Sequence, residues 1–316
     1  MPRLIAARLG QGVATLFVVS LLLYLGTQLL PGDVASALLG QSATPETLAV
    51  LRAQLGLDQP AWQRYLLWLW GVLHGDLGHS LANGRPVAAE ILPRLANTLF
   101  LAGYAAVVSV PLAVGGGIIA AIRERGVLDR LMSAISLVAI SVPEFFIGYV
   151  LISIVAVQLG WLPSLATVFP GLGFAGRIVA TTLPALTLVL VVLAHMLRMT
   201  RTSLLAVMST PFIEMCTLKG LPRGQIVLRH ALRNAAGPII AVIALDLAYL
   251  VVGVVVVEVV FVYPGIGQLM VDAVSKRDLP VVQACGIIFA VAYIALNTVA
   301  DLAAILANPR LLRPRA

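Results

Sequence analysis

Six apolar stretches, each long enough to cross a lipid bilayer as a helix, constrain this 316-residue chain more than any other feature. They run over approximately 11–30, 98–121, 133–158, 181–199, 237–262 and 281–306. A crossing helix needs about 20 residues at about 1.5 Å of rise each. Hydrocarbon offers no partner to backbone N–H and C=O groups, so only helices and closed barrels span it. Stretches this long exclude the short alternating strands of a barrel. They predict an all-α polytopic membrane protein with six transmembrane helices. Charged residues make up 11% of the chain, against about 25% in soluble domains, so a soluble enzyme is excluded as well.

Charge orients the helices. The formal net charge is +7, and Lys and Arg lie in short segments beside apolar runs, which is a membrane pattern and not a nucleic-acid footprint. Arg3 and Arg8 precede the first stretch as in a signal peptide. That stretch is long, however, and Leu30-Pro31-Gly32-Asp33 is a poor cleavage site, so it reads as a retained span. With both termini inside, only Arg52, Arg64, Arg85, Arg94, Arg177, Lys276 and Arg277 fall outside, four of them in one long loop. An N-in, C-in topology follows.

Three regions follow from this layout. Residues 1–97 hold the first span and a long extracytoplasmic loop. Residues 98–306 form a five-span core that contains the loop 200–236, and 307–316 are a basic cytoplasmic tail with Arg310, Arg313 and Arg315. In the long loop, Thr44-Pro45-Glu46 predicts a capped helix that stops near Gly56. Asp58-Gln59-Pro60 predicts a second one, carrying Trp62, Tyr65, Leu66, Trp68, Leu69 and Leu73. That aromatic, amphipathic stripe suits the membrane interface or a local cap over an extracellular mouth.

Polar groups inside spans are costly unless they face a cavity or a partner. Glu144, after Pro143, and Asp246, Glu258 and Asp301 are the acidic cases. Pro143, Glu144, Asp246 and Glu258 are candidates to line a route for a polar substrate, the alternative being hydrogen bonds between helices. A proton- or ion-coupled secondary carrier would also use buried carboxylates, but this chain has no evident repeated halves. His74, His79, His195 and His230 have no neighbours at metal-ligand spacing. Cys216 and Cys285 read as small side chains. Gly115-Gly116-Gly117 and Gly265-Ile266-Gly267 lack the setting of a nucleotide loop, and no serine sits in a nucleophile elbow. If ATP drives this protein, another chain binds it, and no cofactor or metal is expected here.

The most informative segment is Ser209 to Asn234. Thr210-Pro211 predicts a helix start, and the residues after it, Phe212, Ile213, Met215, Cys216 and Leu218, are unusually apolar for a connection. Lys219-Gly220-Leu221-Pro222 then ends the helix. A second helix begins at Gly224, before Asn234, Pro238 and the fifth span. A short helix with an apolar face suits a groove on a cytoplasmic partner or the bilayer surface.

This segment resembles the cytoplasmic loop of binding-protein-dependent ABC importer permeases. Their broad pattern is Glu-Ala-Ala, three residues, then Gly; here Glu214 and Gly220 match, while Met215 and Cys216 replace the alanines. Other stretches resemble the first permease of the dipeptide, oligopeptide and nickel branch. They are Leu30–Asp33, Leu55-Gly56-Leu57-Asp58-Gln59-Pro60, Gly75-Asp76-Leu77-Gly78-His79-Ser80, Ser141-Val142-Pro143-Glu144-Phe145, Leu159–Pro163, Phe261–Gly267, Arg277–Gln283 and Arg229–Asn234. The terminal Asn308-Pro309-Arg310 stands where that branch has Asp-Pro-Arg.

The resemblance implies a permease of the bacterial inner membrane, forming half of a translocation pathway. Its implied partners are a homologous second permease, two ATPase subunits that bind ATP and Mg, and an extracytoplasmic solute-binding protein. The coupling residues would be Pro211, Phe212, Glu214, Met215, Cys216, Lys219, Gly220 and Arg223. Lys219 and Arg223 would pair with acidic groups on the ATPase or serve as inside-positive anchors. Short peptides are the leading substrate class, with nickel chelates, glutathione and opine-like solutes open in the same branch.

Overall fold

The structure is a computed structural model that describes residues 2–29, 36, 44–54, 58–169 and 171–307. The expectations placed on Leu30–Asp33, on Leu55-Gly56-Leu57 and on the tail from Asn308 lie outside the described residues. Among the described residues no strand forms, and His79 and Pro86 make an isolated antiparallel bridge.

Eleven helices are named here in chain order: α1 (Pro2–Gln28), α2 (Pro45–Gln54), α3 (Ala61–Leu73), α4 (Val87–Ile122), α5 (Val127–Ser141), α6 (Glu144–Gln158), α7 (Phe174–Met208), α8 (Pro211–Leu218), α9 (Arg223–Val260), α10 (Ile266–Ser275) and α11 (Leu279–Ala307). Five of them, α1, α4, α7, α9 and α11, are long and apolar enough to cross a membrane. A sixth crossing exists if α5 and α6 count as one span.

That pair sharpens the third stretch, in which Pro143 before Glu144 predicts a kink. Instead of one helix over 133–158, the chain bends by 104° between α5 and α6. Val142 and Pro143 are extended at the break, as the residue before a proline tends to be. Several other boundaries move outward, and α4 begins at Val87 rather than near residue 98. The fourth span runs through Pro184 without interruption, and the fifth begins at Arg223, so Pro238 lies inside α9. Each proline removes a single backbone donor and frees one carbonyl, which neighbouring helices and local adjustment can absorb in a spanning helix. Two segments, Ile152–Gln158 and Ile226–Ala231, take the wider π form.

The chain divides into two compact units. One comprises Met1–Leu9, Leu99–Tyr263 and Ala292–Ala316. Its centre is the packing of α7 on α9, with α6 against both and α5 against α7. Where α4 crosses α7, a Cβ added to Gly117 would lie 2.7 Å from Thr200 Cβ and 2.9 Å from the Leu197 carbonyl oxygen. Gly116 and Gly117 therefore serve close helix approach, as small residues do between membrane helices, while a Cβ on Gly115 would meet nothing within 4 Å. A buried ion pair fixes the start of α5. Asp129 accepts from Arg201 Nε and, at 2.8 Å, from Arg201 Nη2, and also from the Arg125 amide at 2.9 Å. At the chain ends, Arg8 pairs with Asp301 at 3.1 Å.

The other unit comprises Gly10–Thr98 and Pro264–Val291. Its loops are tied by side chain to backbone bonds. The buried Asp278 carboxylate accepts from the Ser80 hydroxyl, from the Leu81 amide at 3.0 Å and from the Ala82 amide at 3.4 Å. Thr98 Oγ1 accepts from the Ile266 amide, and Asn97 donates to the Pro264 carbonyl, both at 2.9 Å. Gln283 donates to Thr27 Oγ1 at 2.8 Å. At α2, Thr44 Oγ1 accepts from the Thr47 amide at 3.2 Å, the side-chain cap its sequence predicts.

Candidate functional site: the short helix between two spans

Helix α8 is built almost wholly from local signals. Pro211 occupies its first position, where a missing N–H costs nothing. Thr210 precedes it in extended backbone, and its carbonyl accepts from Ile213 and Glu214. The expected side-chain cap is absent: the Thr210 hydroxyl instead donates back to the Val207 carbonyl at 2.7 Å. The other end is a Schellman motif. The Leu221 amide donates to Cys216 O, the Gly220 amide to Thr217 O, and Gly220 takes the left-handed φ of 76° that an L side chain resists.

The two faces of α8 differ sharply. Ile213 and Cys216 are 2% and 7% exposed and enter a core of Ala121 from α4, Leu204 from α7, and Ile226, Val227, Ala231, Ala235 and Ile239 from α9. Phe212, Met215 and Leu218 are 53%, 55% and 75% exposed. Their spacing of three residues puts them on one face. Glu214 and Lys219 are exposed beside them.

Two sequence-derived candidates therefore separate from the rest. Cys216 packs into the core, so of the Met215-Cys216 pair only Met215 belongs to the exposed surface. Arg223 donates to the Glu124 carboxylate and, at 3.2 Å, to the Ala121 carbonyl, which ties the start of α9 to the end of α4. Lys219 forms no ion pair among the described residues. Phe212 meets His230 edge-on, with ring centroids 6.0 Å apart.

The intramembrane candidates lie elsewhere in the same unit. Glu144 opens α6 directly after the break at Pro143, and the Tyr249 hydroxyl donates to its Oε2 at 3.1 Å. Its Oε1 is buried without a partner among the described residues. Asp246 is buried, with both oxygens 2.9 and 3.2 Å from His195 Nδ1. Asp246 and Tyr249 are three residues apart on α9, so Glu144 and Asp246 are both engaged at that helix, from α6 and α7 respectively. Glu258 is fully buried nearer the far end of α9. There the Tyr263 amide donates to the Glu258 carbonyl at 2.8 Å. Burial pushes the Tyr263 hydroxyl up to about 12, although Arg177 nearby acts to lower it.

The pairs His195–Asp246, Arg201–Asp129 and Arg223–Glu124 escaped sequence reasoning. The available signal was the cost of charge in lipid, which obliges each such residue to find a partner. The separations of 51, 72 and 99 residues left the partner unspecified.

Comparison with known proteins places this geometry. Residues 113–313 match the family model described as binding-protein-dependent transport system inner membrane component. Residues 1–102 match the model for the N-terminal part of the same kind of membrane component. The glutathione transport system permease protein of Escherichia coli O6:H1 is 38% identical over 297 residues, 94% of each chain. A probable peptide ABC transporter permease protein of Sinorhizobium fredii is 36% identical over 307 residues, covering 97% of this chain and 98% of its own. The chain belongs to the inner-membrane permeases of binding-protein-dependent ABC transport systems: it is a multi-pass, non-catalytic subunit of a solute importer.

Proposed function

We propose that this permease imports short peptides, and that it does so as one half of a pathway completed by a homologous second permease. In this reading both termini and α8 face the cytoplasm, and two ATPase subunits, which carry ATP and Mg, receive α8. An extracytoplasmic solute-binding protein delivers substrate to the opposite side. The N-terminal 1–97 acts as a span with an outer domain, 98–306 as the pathway core, and 307–316 as a cytoplasmic tail.

The observation that carries the reading is the bare face of α8. Three large apolar side chains, Phe212, Met215 and Leu218, are held outward by a helix whose opposite face is locked into the core. A preformed apolar ridge on an anchored helix suits a groove on a soluble partner. Closure of the ATPases around nucleotide would displace α8 and bias the permease between two arrangements, which is the physical content of coupling. Glu144, beside Pro143 at the break, and Asp246 on α9 are the carboxylates proposed to border the pathway, and Glu258 supports the end of α9.

Peptides lead because the relatives include a probable peptide permease, and glutathione, itself a tripeptide, is the second reading because another relative is named for it. The test is ATP-dependent uptake by the complete reconstituted assembly, offered labelled di- and tripeptides, glutathione, a nickel chelate and an opine. Accumulation of short peptides is expected. Preference for glutathione alone replaces the substrate assignment. Proton-driven uptake by this chain without ATPases overturns the whole reading.

A further inference from the structure

Helix α3 carries three of the four tryptophans of the chain in 13 residues, and it uses them in two different ways. Tyr65 and Trp68 turn toward α1, where Tyr65 packs against Tyr24 with ring centroids 5.3 Å apart and Trp68 lies 6.2 Å from the same ring. The Tyr65 hydroxyl is 2.9 Å from Ser20 Oγ, and Arg64 Nη2 donates to Gln28 Oε1 at 2.9 Å. Neighbouring residues of α3 thus hold α1 at points eight residues apart. The helix lies level with the last two turns of that span, with Tyr24 about 6 Å inside its end.

The opposite face has no partner among the described residues. Trp62 and Trp70 are 63% and 65% exposed, and Leu66 and Leu73 are exposed with them. These positions follow the helical repeat and include no charged residue. On α1, which α3 packs against, Phe17, Leu22 and Leu25 are exposed as well. At 13 residues α3 is about 20 Å long, too short to cross a bilayer. Exposed tryptophans at that depth match the aromatic belt of membrane proteins.

A second observation points to a ligand. Three buried polar atoms of this one joint have no partner among the described residues: Tyr24 hydroxyl, Arg64 Nε and Trp68 Nε1. Tyr24 itself is 4% exposed. The Arg64 and Trp68 groups can only donate, so what they lack is an acceptor.

We propose that α3 is a lipid-interface helix whose Trp62–Leu66–Trp70–Leu73 face lies among the acyl chains at the C-terminal end of α1. The joint behind it, bounded by Tyr24, Arg64 and Trp68, receives an acceptor oxygen of a phospholipid headgroup. The proposal requires only that α1 spans the membrane and does not depend on the substrate or partners of the importer.

The test reconstitutes the full chain in phosphatidylethanolamine and phosphatidylglycerol vesicles, with Trp68→Phe and Trp161→Phe so that Trp62 and Trp70 report. Lipids brominated high on the acyl chain are expected to quench most of the emission. Acrylamide is expected to quench several-fold less than in the unfolded chain. Acrylamide access equal to that of the unfolded chain, or silence toward both quenchers because protein covers the face, overturns the interface helix. For the joint, native mass spectrometry counts retained phospholipids in the chain with all tryptophans present. Arg64→Gln, and separately Trp68→Phe, which keeps an aromatic ring against Tyr24 while removing the N–H with the five-membered ring, are each expected to lose one lipid. Unchanged retention in both overturns the headgroup site.

Discussion

Helices α8 and α3 are built on one plan and differ at their edges. Each is short, each buries one face inside its own unit, and each leaves large apolar side chains bare on the other. Around the α8 face stand Glu214 and Lys219. The α3 face has no charge, and the one cation of that helix, Arg64, turns back to Gln28. A rim of charge around a small apolar ridge suits a protein groove that can answer with its own charges. A bare aromatic face without a rim suits lipid, where any charge would have to be desolvated. The edge of an apolar patch therefore says more about its partner than the patch itself does.

The largest effect that sharpens this contrast comes from placing a carboxylate on each face. Leu218→Glu removes an apolar contact whose burial is worth about 1.5–3 kcal/mol. It should lower retention of the ATPases on purification by about tenfold or more, while the thermal stability of the chain changes little because the site is exposed. Leu66→Glu should leave ATPase retention intact. Equal loss from both substitutions would break the comparison.

A smaller effect is expected at Gly220. The left-handed conformation there costs an L residue about 1–2 kcal/mol, and a Cβ would meet nothing within 4 Å. The penalty is thus conformational and not steric. Gly220→Val should raise the ATP hydrolysed per solute imported in the reconstituted assembly, and Gly220→Asn, which tolerates that backbone, should restore it. Similar defects in both would show that the turn is not the cause.

The smallest effect separates the two threonines that precede short helices. Thr44 caps α2 with its side chain and Thr210 does not cap α8. Thr44→Ala should cost about 1 kcal/mol of local helix stability, read by amide exchange across 45–54. Thr210→Ala should cost about 0.5 kcal/mol or less across 211–218, since the lost hydroxyl bond returns to the preceding turn.

Much of this was legible in the sequence because it depends on neighbours along the chain. Pro211 and Gly220 delimit α8 by local backbone preference alone, and Pro60 opens α3 in the same way. Apolar length identified the spans for a similar reason. What stayed hidden depends on residues far apart or on degrees of compromise. Pro143 and Pro184 are the same residue type in similar apolar surroundings, yet one marks a 104° bend and the other sits inside an unbroken helix. The difference lies in what packs around each, which the local sequence does not contain. The same holds for Cys216, whose neighbours Met215 and Thr217 give no sign that it alone of the three is buried.

Ile213 and Cys216 also set how a push on α8 would spread. They enter one cluster to which α4, α7 and α9 all contribute side chains. Packed protein interiors are stiff, with low compressibility. A displacement of the outer ridge is therefore not absorbed beneath the helix. It is divided at once among the ends of three spans, so that a short segment of eight residues can act on most of the unit as a single body.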